Sequence, residues 1–446
     1  MSSQIITRFP PSPTGWFHIG NARTALFNYF FTKKNNGVLK FRLEDTDKER
    51  SKQEYADDII SGLKWLGVDI DYTNAYKQSE HGDTYKKYIE IMLKNNTAYI
   101  SKEEVKEEGQ RSEVIRLRNP GRKIKYEDMM RGEIEVDTTE LGDFIIAKSI
   151  TEPIYHLAVV VDDFEMGVTH IIRGEDGIYN TPRQILIQEA IGAPRPVYAH
   201  MPFILNEDRS KLSKRKQGEL VSLSYYRKQG YLPEAMVNFL ALCGWNPGTD
   251  QEILSMSELI EKFDIMKVQK SGAIFNKEKL LWMNKEYIKR MPTETLAKEI
   301  SDKLSKKYSY SSELLNRVIP TITERINTFG ELEKYIEEGE FDYFFNKPIL
   351  VKEMLIWKKD TDFNIPKKNL GEVIKLFDQM DESDFTLENI KNILTPLAEV
   401  LGKGSVLWPT RVALSGKEKS PDPFTLVYIL GKNESTERLQ KAIDNL

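Results

Sequence analysis

At 446 residues the chain has room for about three domains of roughly 150 residues each, enough to bury substantial cores. With 40% apolar and 30% charged residues, its longest apolar run, Ile154 to Val161, is broken by His156, which excludes a membrane span, and Met1-Ser2-Ser3-Gln4 carries no secretion signal, so a cytoplasmic location is expected. The net charge of −4 argues mildly against nucleic acid without excluding a local basic face, and the single Cys243 excludes a disulfide and a cysteine-cluster zinc site.

In chain order, Ile5 to Phe9 reads as a strand, Pro10 to Gly15 as a rigid loop and Ile19 to Lys34 as a helix. Val38 to Glu44 alternates as a strand does. Ser51 and Glu54 have the spacing of a capping box before a helix that Gly67 closes. Tyr99 to Lys148 is more charged and reads as an inserted module of short strands. Strands are expected again at Tyr155 to Val161 and Val168 to Arg173, and a helix at Thr181-Pro182. The alternation on both sides of the insertion predicts one doubly wound parallel sheet of Rossmann type. Beyond about residue 285 the pattern turns helical: Glu294 to Lys306, Ser312 to Tyr335, Leu370 to Met380, Asn389 to Leu401 and Pro421 to Leu446. The expected division is 1–96 and 154–205 for the two sheet halves, 97–153 for an acceptor-binding insertion, 206–298 for a stem-contact domain and 299–446 for an all-helical region.

Chemistry first appears where a strand, a turn and a helix N-terminus meet, at Phe9 to Thr24. Free amides there favour phosphate, and His18 can donate to it while Gly20 admits close approach. Alone, His18-Ile19-Gly20 is an ordinary turn before a core helix. Lys211-Leu212-Ser213-Lys214-Arg215 is alone an ordinary charged loop. Arg8 and Arg173 end two predicted strands, where ligands bind in such sheets, and guanidinium suits a carboxylate. Glu44 has a rival reading as partner to Arg42 or Lys48. Asp162-Asp163 reads as a turn in preference to a magnesium site. His81, His156, His170 and His200 lack metal-ligand spacing and read as structural or surface residues; Cys243 reads as a buried thiol.

Taken together, the two elements resemble the HIGH-type and KMSKS-type signatures of class I aminoacyl-tRNA synthetases, in the right order. The resemblance sharpens to the bacterial glutamyl type through PPSPTG before His18, FRLEDTD at Phe41 to Asp47 and HIIRGED at His170 to Asp176. NTPRQ at Asn180 to Gln184, the KLSKR form of the second element, and Arg411 to Gly416 followed by Leu430-Gly431-Lys432 extend it over nearly the whole chain. It implies esterification of glutamate onto tRNA(Glu) through a glutamyl-adenylate, with ATP and Mg²⁺, no zinc, tRNA bound before efficient activation, and a monomer. His18, Lys211 and Lys214 would be catalytic. Pro11, Ser12, Thr14, Gly15, His18, Gly20, Lys211, Ser213 and Lys214 would bind ATP. Arg8, Tyr155 and Arg173 would hold the side-chain carboxylate of L-glutamate, with Glu44 and Ser12 on its backbone groups; Arg325 would contact the anticodon.

The chain departs from that pattern at Asn21, where a second His is common, at Val159, where some members carry an amide, and at Gly177, where His or Trp is frequent. Its insertion is short and lacks zinc-binding cysteines. A glutamyl-queuosine tRNA synthetase would lack the C-terminal half, and a glutaminyl enzyme would carry a β-barrel there. An intact His18, Lys211 and Lys214 argue against a non-catalytic tRNA-binding paralogue, and no phosphate-binding-loop motif occurs. An enzyme that also charges tRNA(Gln) carries the same motifs, and that reading stands beside the first.

Overall fold

The computed structural model describes residues 4–73, 75–104, 112–212, 218–358, 360 and 362–446. The chain divides into two units, Met1–Tyr287 and Ile288–Leu446.

The first unit begins with β1 (Ile6–Phe9), α1 (Ile19–Lys34), β2 (Val38–Leu43), α2 (Gln53–Trp65), β3 (Tyr76–Lys77) and α3 (Gly82–Lys94). The predicted insertion supplies β4 (Ala98–Lys102), β5 (Glu113–Leu117), β6 (Lys123–Asp128), β7 (Gly132–Asp137), β8 (Phe144–Ser149) and β9 (Glu152–Pro153). The alternation resumes with α4 (Tyr155–Glu165), β10 (His170–Gly174), α5 (Thr181–Ile191), β11 (Val197–Met201) and β12 (Ile204–Leu205), which pairs with β13 (Ala273–Ile274).

Strands β1, β2 and β3 pair in parallel, as do β10 and β11. The two groups meet where the Thr169 amide donates to the Ile6 carbonyl at 2.9 Å and the Ile6 amide donates to Thr169 Oγ1 at 2.9 Å. The result is the expected doubly wound arrangement, with Arg8 and Arg173 near the carboxyl ends of adjoining strands, where such folds place ligands. Helix α1 is buried almost all round, with Ala22, Ala25, Leu26, Phe27 and Phe30 inaccessible, so it lacks the polar stripe of a surface helix.

The insertion joins this sheet directly. Strands β4, β5, β8 and β9 form their own antiparallel sheet, but β6 pairs with β11 in parallel, Tyr198 opposite Asp128. Ile124, Tyr126 and Ile146 share one core with Leu157, Ile171, Ile185 and Tyr198.

Four local expectations are corrected. Residues 155–161 form the start of helix α4, not a strand. Leu157 to Asp163 are all buried, so the helix shows no apolar–polar alternation, and its valine run imitates a strand. Asp162 and Asp163 accordingly lie inside that helix and begin no turn. The capping box at Ser51 and Glu54 does not form: Lys52 is the N-cap, and its amine contacts Glu54 at 3.3 Å. A true capping box closes Ser255 with Glu258. At the next predicted start, Asn180 is the N-cap and Thr181 the first helical residue.

In the second unit the described residues form helices and turns. The predicted helix over 312–335 splits into Ser312–Arg325 and Phe329–Glu337. Thr328 causes the break: its hydroxyl accepts from the Glu331 amide at 3.1 Å, a cap that restarts the helix. Lys403–Ser415 is a further helix, and Pro423–Asn445 bends at Gly431, whose φ of 80° suits glycine. Leu304, Val318, Ile322, Leu332, Phe377, Leu394, Val412 and Leu426 are fully buried inside this unit. No helix among the described residues is long and apolar enough to cross a membrane.

Candidate active site

Arg8, Pro11, Ser12, Thr14, His18, Gly20, Glu44, Tyr155, Arg173 and Lys211 all line one cleft of about 450 Å³ in the first unit. Gly15 does not line it, and Ser213 and Lys214 lie outside the described residues.

The loop before α1 is fixed by its backbone. The Glu44 amide donates to the Pro11 carbonyl at 3.0 Å, tying the loop to the end of β2, and the Lys52 amide donates to the Pro13 carbonyl at 3.0 Å. His18 is the N-cap of α1, and its Nδ1 accepts from the Gly20 amide at 2.9 Å. A neutral ring that accepts at Nδ1 carries its proton on Nε2, the donor a phosphate oxygen needs. A Cβ at Gly20 would stand 3.1 Å from that Nδ1, so the glycine keeps this turn open. Lys211 extends from the segment after β12 with its amine 3.6 Å from the Phe203 ring centroid, a cation–π contact that holds the side chain beside the cleft.

The floor of the cleft is a buried charge network. Arg8 Nε donates to both carboxylate oxygens of Asp163 at 3.3 Å. Arg42, wholly inaccessible, donates to Asp163 at 2.7 Å and to Glu44 at 3.0 Å. Asp162 accepts from Tyr76 at 2.7 Å, Gln78 at 2.6 Å and Tyr85 at 2.8 Å. Burial alone would raise the Asp163 carboxyl, but Arg8 and Arg42 outweigh it and hold it below the usual range. For Glu44 burial wins, and its carboxyl is raised despite Arg42. The rival reading of Glu44 as a partner of Arg42 is therefore real, although Glu44 also lines the cleft.

Arg173 is held differently. Its Nε donates to His200 Nε2 at 3.0 Å, and its Nη2 donates to the Gly177 carbonyl at 3.1 Å and to Thr181 Oγ1 at 2.8 Å. Among the described residues it forms no ion pair with a carboxylate, and burial lowers its pKa. Arg8 Nη1 and Arg173 Nη1 are both buried without a hydrogen-bond partner. Two guanidiniums on one cleft, each with a buried Nη1 that lacks a partner, suit a small carboxylate.

Motif reading missed Asp128, His200 and the role of Asp163. Asp163 was visible only as half of an acidic pair, and His200 only as an isolated histidine. Arg23 is also buried, its guanidinium bonded to the carbonyls of Cys243 and Pro202, and burial lowers its pKa to about 10. Cys243 is the buried thiol expected, pushed up to about 12 by burial. Among the described residues no group of three or more His, Cys, Asp or Glu could hold a metal ion.

The second unit carries a separate, open pocket of about 1420 Å³ whose walls include Arg317, Arg325, Arg411, Lys417 and Tyr428. Arg325 ends its helix, donates to the Tyr343 hydroxyl at 3.2 Å and pairs with Glu340 at 3.4 Å.

Known families match this architecture throughout. Residues 4–113 and 100–282 match the model of the catalytic domain of class I tRNA synthetases (E and Q), and residues 288–443 that of an anticodon-binding domain. The chain is 37% identical to glutamate–tRNA ligase 1 of Petrotoga mobilis, over 99% of this chain and 97% of that protein. It is 38% identical to glutamate–tRNA ligase of Thermodesulfovibrio yellowstonii, over 99% of each. A crystal structure of a glutamate tRNA ligase from Elizabethkingia meningosepticum, in complex with its amino acid, superposes with a TM-score of 0.88 at 32% identity, covering 100% of both chains. The two family models matched and the full-length similarity, together with a doubly wound first unit and a helical second unit, place the chain in the glutamate–tRNA ligase family of class I tRNA synthetases.

Proposed function

We propose that this chain attaches L-glutamate to the 3′ end of tRNA(Glu) in two steps, consuming ATP and releasing AMP and pyrophosphate. The observation that carries the reading is the pair of buried arginines, Arg8 and Arg173, each with an Nη1 that lacks a partner at the cleft. The glutamate side-chain carboxylate answers both donors. A glutamine amide offers one acceptor oxygen and no charge, and its NH₂ would face guanidinium N–H groups. Glu44 and Ser12 serve the amino acid's backbone groups, with Tyr155 along its side chain.

In the first step a glutamate α-carboxylate oxygen attacks the α-phosphorus of ATP, and pyrophosphate leaves. His18 Nε2–H and the Lys211 amine hydrogen-bond the phosphates, and we assign Lys214 and Ser213 of the same element to that task. In the second step the terminal ribose 2′-hydroxyl of tRNA attacks the adenylate carbonyl, and AMP leaves. No protein nucleophile is needed; alignment and charge stabilisation carry the rate. The described residues of the cleft offer no carboxylate cage for a resident Mg²⁺, so the ion would travel with ATP and would help neutralise charge on the phosphates. The basic pocket in the second unit, with Arg325 on its wall, is the proposed site for unstacked anticodon bases.

The test is ATP–pyrophosphate exchange with glutamate or glutamine, with and without tRNA. Exchange that requires glutamate and is promoted by tRNA supports the reading. Exchange driven by glutamine in place of glutamate overturns it.

A further inference from the structure

Arg173 binds its ligand with whatever donors its own environment leaves over, so the groups that hold it decide where Nη1 points. Behind it lies a buried chain of three residues from three strands. Arg173 on β10 stands opposite His200 on β11, and β11 is in turn paired with β6 at Asp128. His200 and Asp128 are inaccessible. Asp128 Oδ2 accepts from the His200 backbone amide at 3.1 Å and lies 2.7 Å from His200 Nδ1. Its Oδ1 accepts from the amides of Met130 and Arg131 at 3.0 Å each.

These contacts fix the state of the ring. Burial would raise the Asp128 carboxyl, but His200 and the backbone amides outweigh that and hold it low. An ionised Asp128 only accepts, so Nδ1 must carry the ring proton. Burial together with Arg173 lowers the His200 pKa and keeps the ring neutral. Nε2 is therefore an acceptor, the one form that can receive Arg173 Nε–H at 3.0 Å. The Tyr198 ring stacks on the imidazole at 6.0 Å and 9°. On the other side Gly177 leaves the space: a Cβ there would stand 2.3 Å from Arg173 Nε and 2.6 Å from Cδ. With Nε and Nη2 tied back, Nη1 is the guanidinium nitrogen left without a partner in a residue that lines the cleft.

We infer that Asp128 and His200 are positioning residues for glutamate recognition: Asp128 sets the His200 tautomer, and His200 in turn orients the Arg173 guanidinium. The inference rests on the proposed role of Arg173 in holding the glutamate side chain.

The decisive variants keep size and change hydrogen-bond sense. In Asp128→Asn the side chain keeps one acceptor oxygen for the Met130 and Arg131 amides and turns its NH₂ toward Nδ1. The ring proton moves to Nε2, which becomes a donor facing the Arg173 Nε–H donor. Glutamate KM in pyrophosphate exchange is expected to rise roughly 10–100-fold, the usual cost of disturbing a group that orients a ligand-binding residue, with ATP KM changed less than about twofold. His200→Asn retains a donor for Asp128 and loses the acceptor for Arg173, so it should match Asp128→Asn. His200→Gln places an amide oxygen near the Nε2 position and should recover most of the glutamate affinity. If Asp128→Asn does not fold, the two His200 variants decide the question.

Equal costs in His200→Asn and His200→Gln, or glutamate and ATP KM rising in step, would mean a structural role only and overturn the inference. Arg173→Ala run alongside separates the two claims. A raised glutamate KM in Arg173→Ala with no change in Asp128→Asn sinks the relay and leaves the site intact. No change in Arg173→Ala removes the reading on which the relay stands.

Discussion

The two candidate sites, one in each unit, use arginine in different ways. In the first, Arg8, Arg42 and Arg173 are buried: Arg8 is bound through Nε to Asp163, Arg42 to Asp163 and Glu44, and Arg173 to His200, Thr181 and the Gly177 carbonyl. In the second, Arg317 and Arg325 line an open pocket with 29% and 35% of their side chains exposed. A buried guanidinium tied through part of its fork has little freedom to turn and suits a ligand of few atoms. A half-exposed one can shift and suits bases presented on a flexible strand. Burying a guanidinium costs desolvation, which explains why Asp162, Asp163 and Glu44 sit beside the arginines of the cleft; the pocket's arginines pair with carboxylates too, but at the surface, where the cost is smaller.

That contrast can be broken at several points. Arg173→Ala should cause the largest loss, about 10³-fold or more in glutamate kcat/KM, because a site built to bond a polar group has no substitute donor. A change below tenfold would place the carboxylate elsewhere. Lys214→Ala should slow adenylate formation by about 10²-fold in single-turnover measurements, with glutamate KM little changed, as expected for a donor used in the transition state. Arg325→Ala should raise tRNA KM about tenfold and leave tRNA-independent ATP binding alone. If it altered glutamate KM instead, the division of labour between the units would be wrong. The smallest effect concerns acid stability. Burial lowers the His156 pKa to about 4, below its ordinary 6.5. A depressed histidine takes up its proton more readily when unfolded, so stability falls as pH drops from about 6.5 toward 4. His156→Gln should reduce the fall in Tm between pH 7 and pH 5; an unchanged fall assigns it to other groups.

Sequence reading reached the outline of this molecule and part of its chemistry. Glu44, His18, Arg173 and Lys211 sit in short motifs whose order along the chain could be recognised, Arg8 ends a predicted strand, and all five meet on one cleft. Helix α4 was misread because a helix buried on all sides loses the periodicity that betrays it. Asp163 was misread for the same reason, since its arginine partners are 121 and 155 positions away. Asp128 and His200 have no local signature, being brought together across 72 positions by strand pairing. The capping box shows the reverse failure. Ser51 has the right neighbour in Glu54, yet Lys52 occupies the cap, whereas Ser255 and Glu258 form one without having been singled out.

The pairing of β6 with β11 limits how the chain can be recombined. An insertion between two halves of a sheet invites exchange as a cassette, cut at its ends and replaced by that of a relative. Here the cassette includes a strand of the host sheet and part of its core, through Ile124, Tyr126 and Ile146. A chimera that swaps residues 97–153 therefore also replaces Asp128, which holds His200 behind Arg173. Cut points that leave β6 and its hairpin partner β7 with the host keep the strand pairing intact, and an exchange of β4, β5, β8 and β9 must still match the host core at Ile115, Leu117 and Ile146.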